Sequence, residues 1–163
     1  GELVRESVIT FTLSGCSFAV KLSAVSEILR YCRYTPIPGV ENHVKGLLNL
    51  RGSLLAVVCP RVLLDVEEKE PEVSPALILY GASGSSGDGT TRKKDDNLVA
   101  LLVDEIGDIV APDDFSLHSL PANVPEKHRH FLAGVIDCMN SSHTLINVNM
   151  ITDSQLIIEK SEV

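Results

Sequence analysis

The chain has 163 residues, a typical length for one domain or two small subdomains. Hydrophobic residues make up 44% of it, which argues against a disordered chain, and without Trp the core must consist mainly of Leu, Ile, Val and Ala. The net charge of −8 and the lack of a basic stripe argue against a nucleic-acid partner. Apolar runs such as Leu98–Val103 are much shorter than the ~20 residues of a membrane helix, so we expect a cytoplasmic protein without direct membrane insertion.

The first part of the chain is predicted to form short strands. Val8–Leu13 alternates in hydrophobicity, and a Ser-Gly turn leads to a second strand at Phe18–Val20. The spacing of Val25, Ile28 and Leu29 instead predicts one or two helical turns over 23–29. The next predicted segments are an extended stretch at 31–35, a proline bend at 36–39, a helical turn near 42–44, a hairpin over 46–59 and a helical turn at 61–64.

The second part begins after a charged, proline-containing boundary at 65–75. The predicted segments are strands at 76–80, 98–103, 131–138 and 144–148, an irregular stretch at 120–130 and an amphipathic helix at 151–160. The glycine- and serine-rich stretch 81–97 is predicted to be a flexible hairpin tip.

The two parts have the same pattern, because 131–148 repeats the order of aliphatic strand, polar turn and aliphatic strand seen in 46–59. Short strands at regular spacing are typical of small barrels. We therefore predict a mainly β fold with a first barrel subdomain at 1–65, a second at 74–150 and a C-terminal helix or tail at 151–163.

One hairpin contains a single charge. Two apolar runs, Gly46–Leu50 and Ser53–Cys59, flank Arg51 and Gly52. Because glycine adopts a positive φ that other residues resist, the chain can turn here and hold the guanidinium at the rim of a buried hairpin. The residues alone leave two interpretations open: Arg51 is a solvated turn residue, or it has an assigned partner.

Several segments along nearly the whole chain resemble, in order, the CheW-like domain of bacterial chemotaxis. Segment 18–29 resembles the family's strand and following V-x-E-I segment, and 36–39 resembles its proline bend. Gly46-Leu47-Leu48-Asn49-Leu50-Arg51-Gly52 resembles its G-x-x-N-L-R-G signature, Val103-Asp104-Glu105-Ile106 its V-D-x-V segment, and Phe131–Val135 its last signature strand. Each match alone is weak, whereas their joint occurrence in this order is specific.

The resemblance implies a single domain over 1–163 that contains two SH3-like five-stranded β-barrels with short helices. It also implies a non-catalytic adaptor, without cofactor or metal, that couples chemoreceptors to the histidine kinase CheA. The expected partners are the regulatory domain of CheA, which has the same fold, and the cytoplasmic tips of methyl-accepting chemoreceptors. A CheW-like regulatory domain of a larger signalling protein, either CheA or an adaptor–receiver fusion, is the alternative within the family.

The resemblance assigns an ion pair to the partner-binding site. Glu27 and Arg51 match a family pair that forms a salt bridge beside the receptor and kinase contacts, and Gly52 belongs to the same signature. Because an arginine can bond a carboxylate through two parallel hydrogen bonds, such a pair fixes orientation. Two unrelated surface charges are the alternative.

Apolar residues of the same motifs are candidates for a groove that accepts a receptor helix. They are Val25, Gly46, Val103 and Ile106, for which ordinary core positions are the alternative. We expect leucine at Gly46 to block docking without disturbing the fold. Arg61 is expected to assist by its charge or to be an exposed structural arginine.

The sequence departs from the family after the hairpin, where the usual D-L-R is replaced by Cys59-Pro60-Arg61. Because proline cannot donate to a sheet ladder, the strand must end at Cys59 or lie at an edge.

A small thiol- or metal-dependent enzyme is the alternative from a different class. Cys16, Cys32, His128 and His130 carry suitable side chains, but their spacing matches no metal motif. None of the four cysteines forms a CxxC pair, which favours a reducing compartment.

Overall fold

The computed structural model describes residues 6–67, 74–81 and 97–153, and their fold is mainly β. The strands are β1 (Val8–Leu13), β2 (Cys16–Lys21), β3 (Val25–Leu29), β4 (Val44–Leu50), β5 (Ser53–Val58), β6 (Ala76–Tyr80), β7 (Leu98–Leu102), β8 (Glu105–Val110), β9 (Ser116–His118), β10 (Leu132–Cys138) and β11 (Ser141–Ile146). The helices are α1 (Pro60–Leu64), α2 (Glu126–Arg129) and α3 (Val148–Ile151), with single 3₁₀ turns at Leu22–Ala24 and Pro112–Asp114. None of the helices in these three ranges is long and apolar enough to cross a membrane.

The strands form two sheets with the same internal plan. The six-stranded sheet has the order β8-β1-β2-β11-β10-β9, and the five-stranded sheet has the order β3-β6-β7-β5-β4. In each sheet, one hairpin (β1–β2 or β6–β7) pairs in parallel with the second strand of another hairpin (β11 or β5). The repeat predicted between 46–59 and 131–148 is therefore confirmed, because the two segments occupy equivalent places in the two sheets.

The chain exchanges strands between the two sheets. Neither sheet therefore corresponds to one of the barrel subdomains predicted at 1–65 and 74–150. Strands β1 and β2 lie in the sheet with β8–β11, whereas β6 and β7 complete the sheet of β3–β5. The chain crosses from one sheet to the other between β2 and β3 and again between β7 and β8. A hairpin pattern in the sequence specifies which two strands pair locally, but it carries no information about which sheet the hairpin joins.

The predicted helical turns over 23–29 are wrong, because this segment is a 3₁₀ turn followed by strand β3. Strand β3 pairs with β6, and its register shifts between Val25 and Glu27. Such a bulge breaks the strict alternation of a strand, and over seven residues the interrupted pattern resembles helical spacing.

Other segment boundaries also differ from the prediction. Residues 42–43 form a turn and Val44 already begins β4, while the stretch 120–130, expected to be irregular, contains α2. Helix α3 begins before the predicted terminal helix, at a cap where Asn147 Oδ1 accepts from the Met150 amide at 3.3 Å. The part of that predicted helix beyond 153, and residues 82–96 of the predicted hairpin tip, lie outside the described residues.

The five-stranded sheet is closed by a further backbone pairing. Thr35 and Leu47 each donate to the other's carbonyl at 2.9 Å, which joins the segment after β3 to β4. Strands β3 and β4 stand at opposite ends of the sheet order. We call the gap that this pairing closes, between β3 and the β4–β5 hairpin, the seam of the sheet.

One large apolar cluster, the shared core, holds the two sheets together. It consists of buried residues from both sheets and from α1 and α3: Ile9, Phe11, Leu13, Phe18, Val20, Val58, Leu64, Leu77, Leu79, Val99, Leu101, Val103, Ile146 and Ile151. Because the core takes side chains from both sheets, surfaces formed jointly by the two sheets depend on how they pack here.

Candidate partner-binding site

The turn between β4 and β5 holds Arg51 at the seam of the five-stranded sheet. Arg51 and Gly52 have φ of 49° and 88°, the left-handed geometry of a tight two-residue hairpin turn. The Asn49 side-chain oxygen accepts from the Gly52 amide at 3.0 Å and supports this turn. The predicted position of the arginine at a hairpin rim is confirmed.

Glu27 on β3 is the partner of Arg51. Arg51 Nη2 donates to Glu27 Oε1, and Nη1 approaches Oε2 at 3.4 Å. The hydrogen bond that Arg51 donates to Glu27, together with the attraction of the carboxylate charge, raises the pKa of Arg51. Of the two interpretations left open by the sequence, the structure therefore confirms the one in which Arg51 has an assigned partner.

The pair is exposed mainly on the arginine side. The Arg51 side chain is 71% exposed while Glu27 is 28% exposed. Exposed ion pairs add little to stability, because water screens their attraction. The arrangement instead orients the guanidinium and leaves most of its surface accessible to another protein.

Val25 and Ile106 lie at equivalent places in the two sheets. Val25 is on β3 and Ile106 on β8, which are the first strands in the two sheet orders. Both are only partly buried and pack against the shared core. They can therefore offer apolar surface to a partner while they contribute to the core beneath.

Val103 and Gly46 do not provide accessible groove surface. Val103 is completely buried within the shared core, so it is an ordinary core residue and not a groove residue. Gly46 is also buried, and a Cβ at this position would lie 2.1 Å from the Thr35 carbonyl oxygen. The expectation that leucine at Gly46 would leave the fold undisturbed is therefore wrong, since the strand pairing that closes the sheet leaves no room for a side chain.

Arg61 is buried, which contradicts the expectation of an exposed arginine. Its side chain is 2% exposed and pairs with Asp104 through Nη2 and Oδ1. Pro60 occupies the first turn of α1, where proline is tolerated, and β5 has already ended at Val58. Sequence reasoning missed Asp104 as the partner, because the two residues are distant in sequence and no local pattern links them.

The six-stranded sheet has a different structure at the place equivalent to the Glu27–Arg51 pair. Its β10–β11 turn presents Met139, 97% exposed, and its end strand β8 presents Ile109, 60% exposed. Both line a cavity of about 610 Å³ together with Cys138 and His143. Burial lowers the pKa of His143.

The side chains considered for an enzyme do not assemble. Cys16 is exposed on β2, and Cys32 is buried, which raises its pKa. His128 Nδ1 lies 3.4 Å from the Leu63 carbonyl oxygen, and His130 packs edge-on against Phe131. Within the described ranges, no three His, Cys, Asp or Glu side chains group in a way that could hold a metal ion.

Comparisons with known proteins agree with this fold. The CheW-like domain model matches residues 7–156. Chemotaxis protein CheW of Rhizobium meliloti is 26% identical over 91% of this chain and 88% of its own length. CheW of Bacillus subtilis is 24% identical over 92% of this chain and 88% of its own length.

A solved structure has the same fold. The crystal structure of the scaffolding protein TtCheW from Thermoanaerobacter tengcongensis aligns with a TM-score of 0.73 and 15% identity, over 94% of this chain and 96% of that one. The family model covers well over half of the sequence described above. The chain therefore belongs to the CheW-like domain family of chemotaxis adaptors.

Proposed function

We propose that this chain is a non-catalytic adaptor that couples methyl-accepting chemoreceptors to the histidine kinase CheA. The observation that carries the proposal is the Glu27–Arg51 pair, which holds an accessible guanidinium at the seam of one sheet. Family membership, and similarity over 88% of the length of each of two CheW proteins, support the adaptor role. We propose that the chain meets the kinase and the receptor tips in the cytoplasm.

The receptor tip is proposed to dock on Val25 and Ile106. An amphipathic helix laid across a surface of this kind buries its apolar face against partly exposed aliphatic side chains. Glu27 lies two positions from Val25 on β3, so the ion pair stands beside this apolar surface. A charged pair beside an apolar contact favours one orientation of the partner over others.

The kinase regulatory domain is proposed to contact the β4–β5 turn. Arg51 stays mostly exposed while paired with Glu27. Among the described residues, apart from Gly52 and its two chain neighbours, no heavy atom lies within 4 Å of the position that a Cβ would take at Gly52. A second protein can therefore approach the backbone of this turn closely.

Isothermal titration of this chain with a purified CheA regulatory domain, and separately with a receptor-tip helical hairpin, tests the proposal. We expect both to bind, and we expect Val25→Thr and Ile106→Thr to weaken receptor-tip binding about tenfold, because each replaces apolar contact surface by a hydroxyl group. Met139→Thr serves as the control, since Met139 is an exposed apolar residue of the β10–β11 turn and belongs to neither β3 nor β8. A chain that binds neither protein at tens of micromolar would contradict the proposed function.

A further inference from the structure

We infer that Arg61 and Asp104 form a brace between the two sheets and act as positioning residues for partner binding. The inference rests on the proposed function. It adds an account of how the docking surface is held in place. Neither residue is proposed to touch a partner. Their effect is exerted from inside the molecule, on the relative position of β3 and β8.

The brace connects elements of both sheets through one carboxylate. Arg61 lies on α1, which directly follows β5 of the five-stranded sheet. Asp104 lies where the chain crosses from β7 to β8, and its Oδ1 pairs with Arg61 Nη2. Its Oδ2 accepts from the amide of Ser14, in the β1–β2 turn of the six-stranded sheet, at 2.6 Å.

Backbone and hydroxyl contacts reinforce the same junction. The Asp104 amide donates to the Thr12 carbonyl at 2.9 Å, so the crossover segment is tied to β1. The Ser14 hydroxyl donates to the carbonyl of Glu67, beyond the end of α1. The β1–β2 turn, helix α1 and the crossover are thereby linked in one polar network.

Because Arg61 is buried, its charge needs the opposite charge of Asp104. The arginine side chain is 2% exposed, and Nη1 donates to the Cys59 sulfur at 3.5 Å. Its Nε has no hydrogen-bond partner among the described residues. A charge buried in this way is costly unless an opposite charge compensates it, so the fold favours the arrangement that keeps Asp104 against the guanidinium.

The brace supplies a directional constraint that the shared core lacks. Hydrophobic burial is non-directional, so apolar packing alone tolerates small shifts between the sheets. The hydrogen bond from the Ser14 amide to Asp104 is sensitive to distance and angle, and the ion pair keeps the same carboxylate against Arg61. The polar junction therefore fixes the relative position of the two sheets. The shared core stabilises their packing but does not specify that position.

The constraint reaches the docking surface through β8. Ile106 lies two residues after Asp104, whereas Val25 lies on β3 in the other sheet. A shift between the sheets would change the separation of these two side chains. Binding of a partner that spans both side chains should therefore depend on the brace.

Two variants distinguish an effect of the brace on partner positioning from its effect on stability. Asp104→Asn leaves the arginine charge buried without its partner and should lower the urea midpoint of unfolding. The double variant Arg61→Met, Asp104→Leu replaces the pair by apolar side chains and should recover most of that midpoint, since such replacements are often neutral or stabilising. We expect the folded double variant still to bind the receptor tip about tenfold more weakly than the wild type. Recovery of both the midpoint and the affinity would overturn the inference.

A distance measurement tests the brace without any partner. Spin labels at Ser26 and Glu105, exposed residues of different sheets, report the separation of β3 and β8 in a Cys16→Ser background. Labels at Ser26 and Ser53, both in the five-stranded sheet, serve as the control pair.

We expect the double variant to broaden the distance distribution of the first pair and to leave that of the control pair unchanged. An unchanged distribution for the first pair would refute the brace whatever the partner binding shows. Failure of the wild type to bind either protein would count against the proposed function and leave these distances unaffected.

Discussion

Glu27 and Arg51 bond across the seam of the five-stranded sheet, although β3 and β4 stand at opposite ends of its strand order. The Thr35–Leu47 backbone pairing joins the segment after β3 to β4 at the same seam. Backbone hydrogen bonds already close this part of the sheet, so the side-chain pair is available for recognition.

Reversal of this pair should affect binding far more than stability. We expect Glu27→Arg and Arg51→Glu each to reduce binding of the kinase regulatory domain while the urea midpoint changes little, because Arg51 is exposed and water screens the pair. The double reversal restores opposite charges and should recover part of the lost affinity. A double variant that binds no better than either single variant, measured by titration calorimetry, would argue against direct pairing.

Gly46→Ala should destabilise the fold by about 3 kcal/mol, because the new Cβ would collide with the backbone of Thr35. Thr35 can yield only by loosening its pairing with Leu47. Urea unfolding measures the change. Gly52→Asn is the control for space and should cost less, since the described residues leave open space at Gly52 and asparagine tolerates its positive φ better than most residues do. Equal effects of the two substitutions would contradict this account of Gly46.

Acidification should destabilise the protein through His143. Burial lowers its pKa in the folded state below the 6.5 of the unfolded chain, although Asp108 and Asp114 line the same cavity. The unfolded state then binds more protons, so stability decreases as the pH falls through 6.5.

His143→Gln should remove this contribution. We expect the stability difference between the wild type and the variant to be constant above pH 7.5 and to change below about pH 6.5, as measured by urea unfolding at several pH values. A difference that stays constant down to pH 5 would show that His143 has no part in the acid response.

One cysteine should react quickly with a thiol reagent in the native protein. Cys16 is exposed, whereas Cys32, Cys59 and Cys138 are buried, and burial raises the pKa of Cys32 and disfavours its reactive thiolate. We expect absorbance with Ellman's reagent to show one fast thiol, which disappears in Cys16→Ser. A second fast thiol in that variant would indicate that a buried cysteine becomes accessible by local opening.

Local patterns in the sequence predicted the hairpins and the position of Arg51, because these depend on neighbouring residues. The two apolar runs and the Arg-Gly corner specify the β4–β5 turn on their own. The pairing of Arg51 with Glu27 came from the family resemblance, and the structure confirms it.

Features that depend on distant residues were not predictable in this way. Arg61 was expected at the surface because a charged residue is rarely buried, and only its proximity to Asp104 in the fold explains the exception. The space beside Gly46 is filled by the backbone of Thr35, which no sequence pattern indicates. Strand β3 was interpreted as helix because its bulge interrupts the alternation that identifies a strand.

The exchange of strands between the sheets has a consequence for how the molecule can be divided. A cut between Glu67 and Ser74 would separate β1–β5 from β6–β11, and each fragment would hold strands that belong to both sheets. Neither fragment could complete a sheet alone, and each would expose edges that the other covers. Two such fragments, expressed separately, should therefore remain unfolded in isolation and recover the native fold when mixed, as in a split reporter protein.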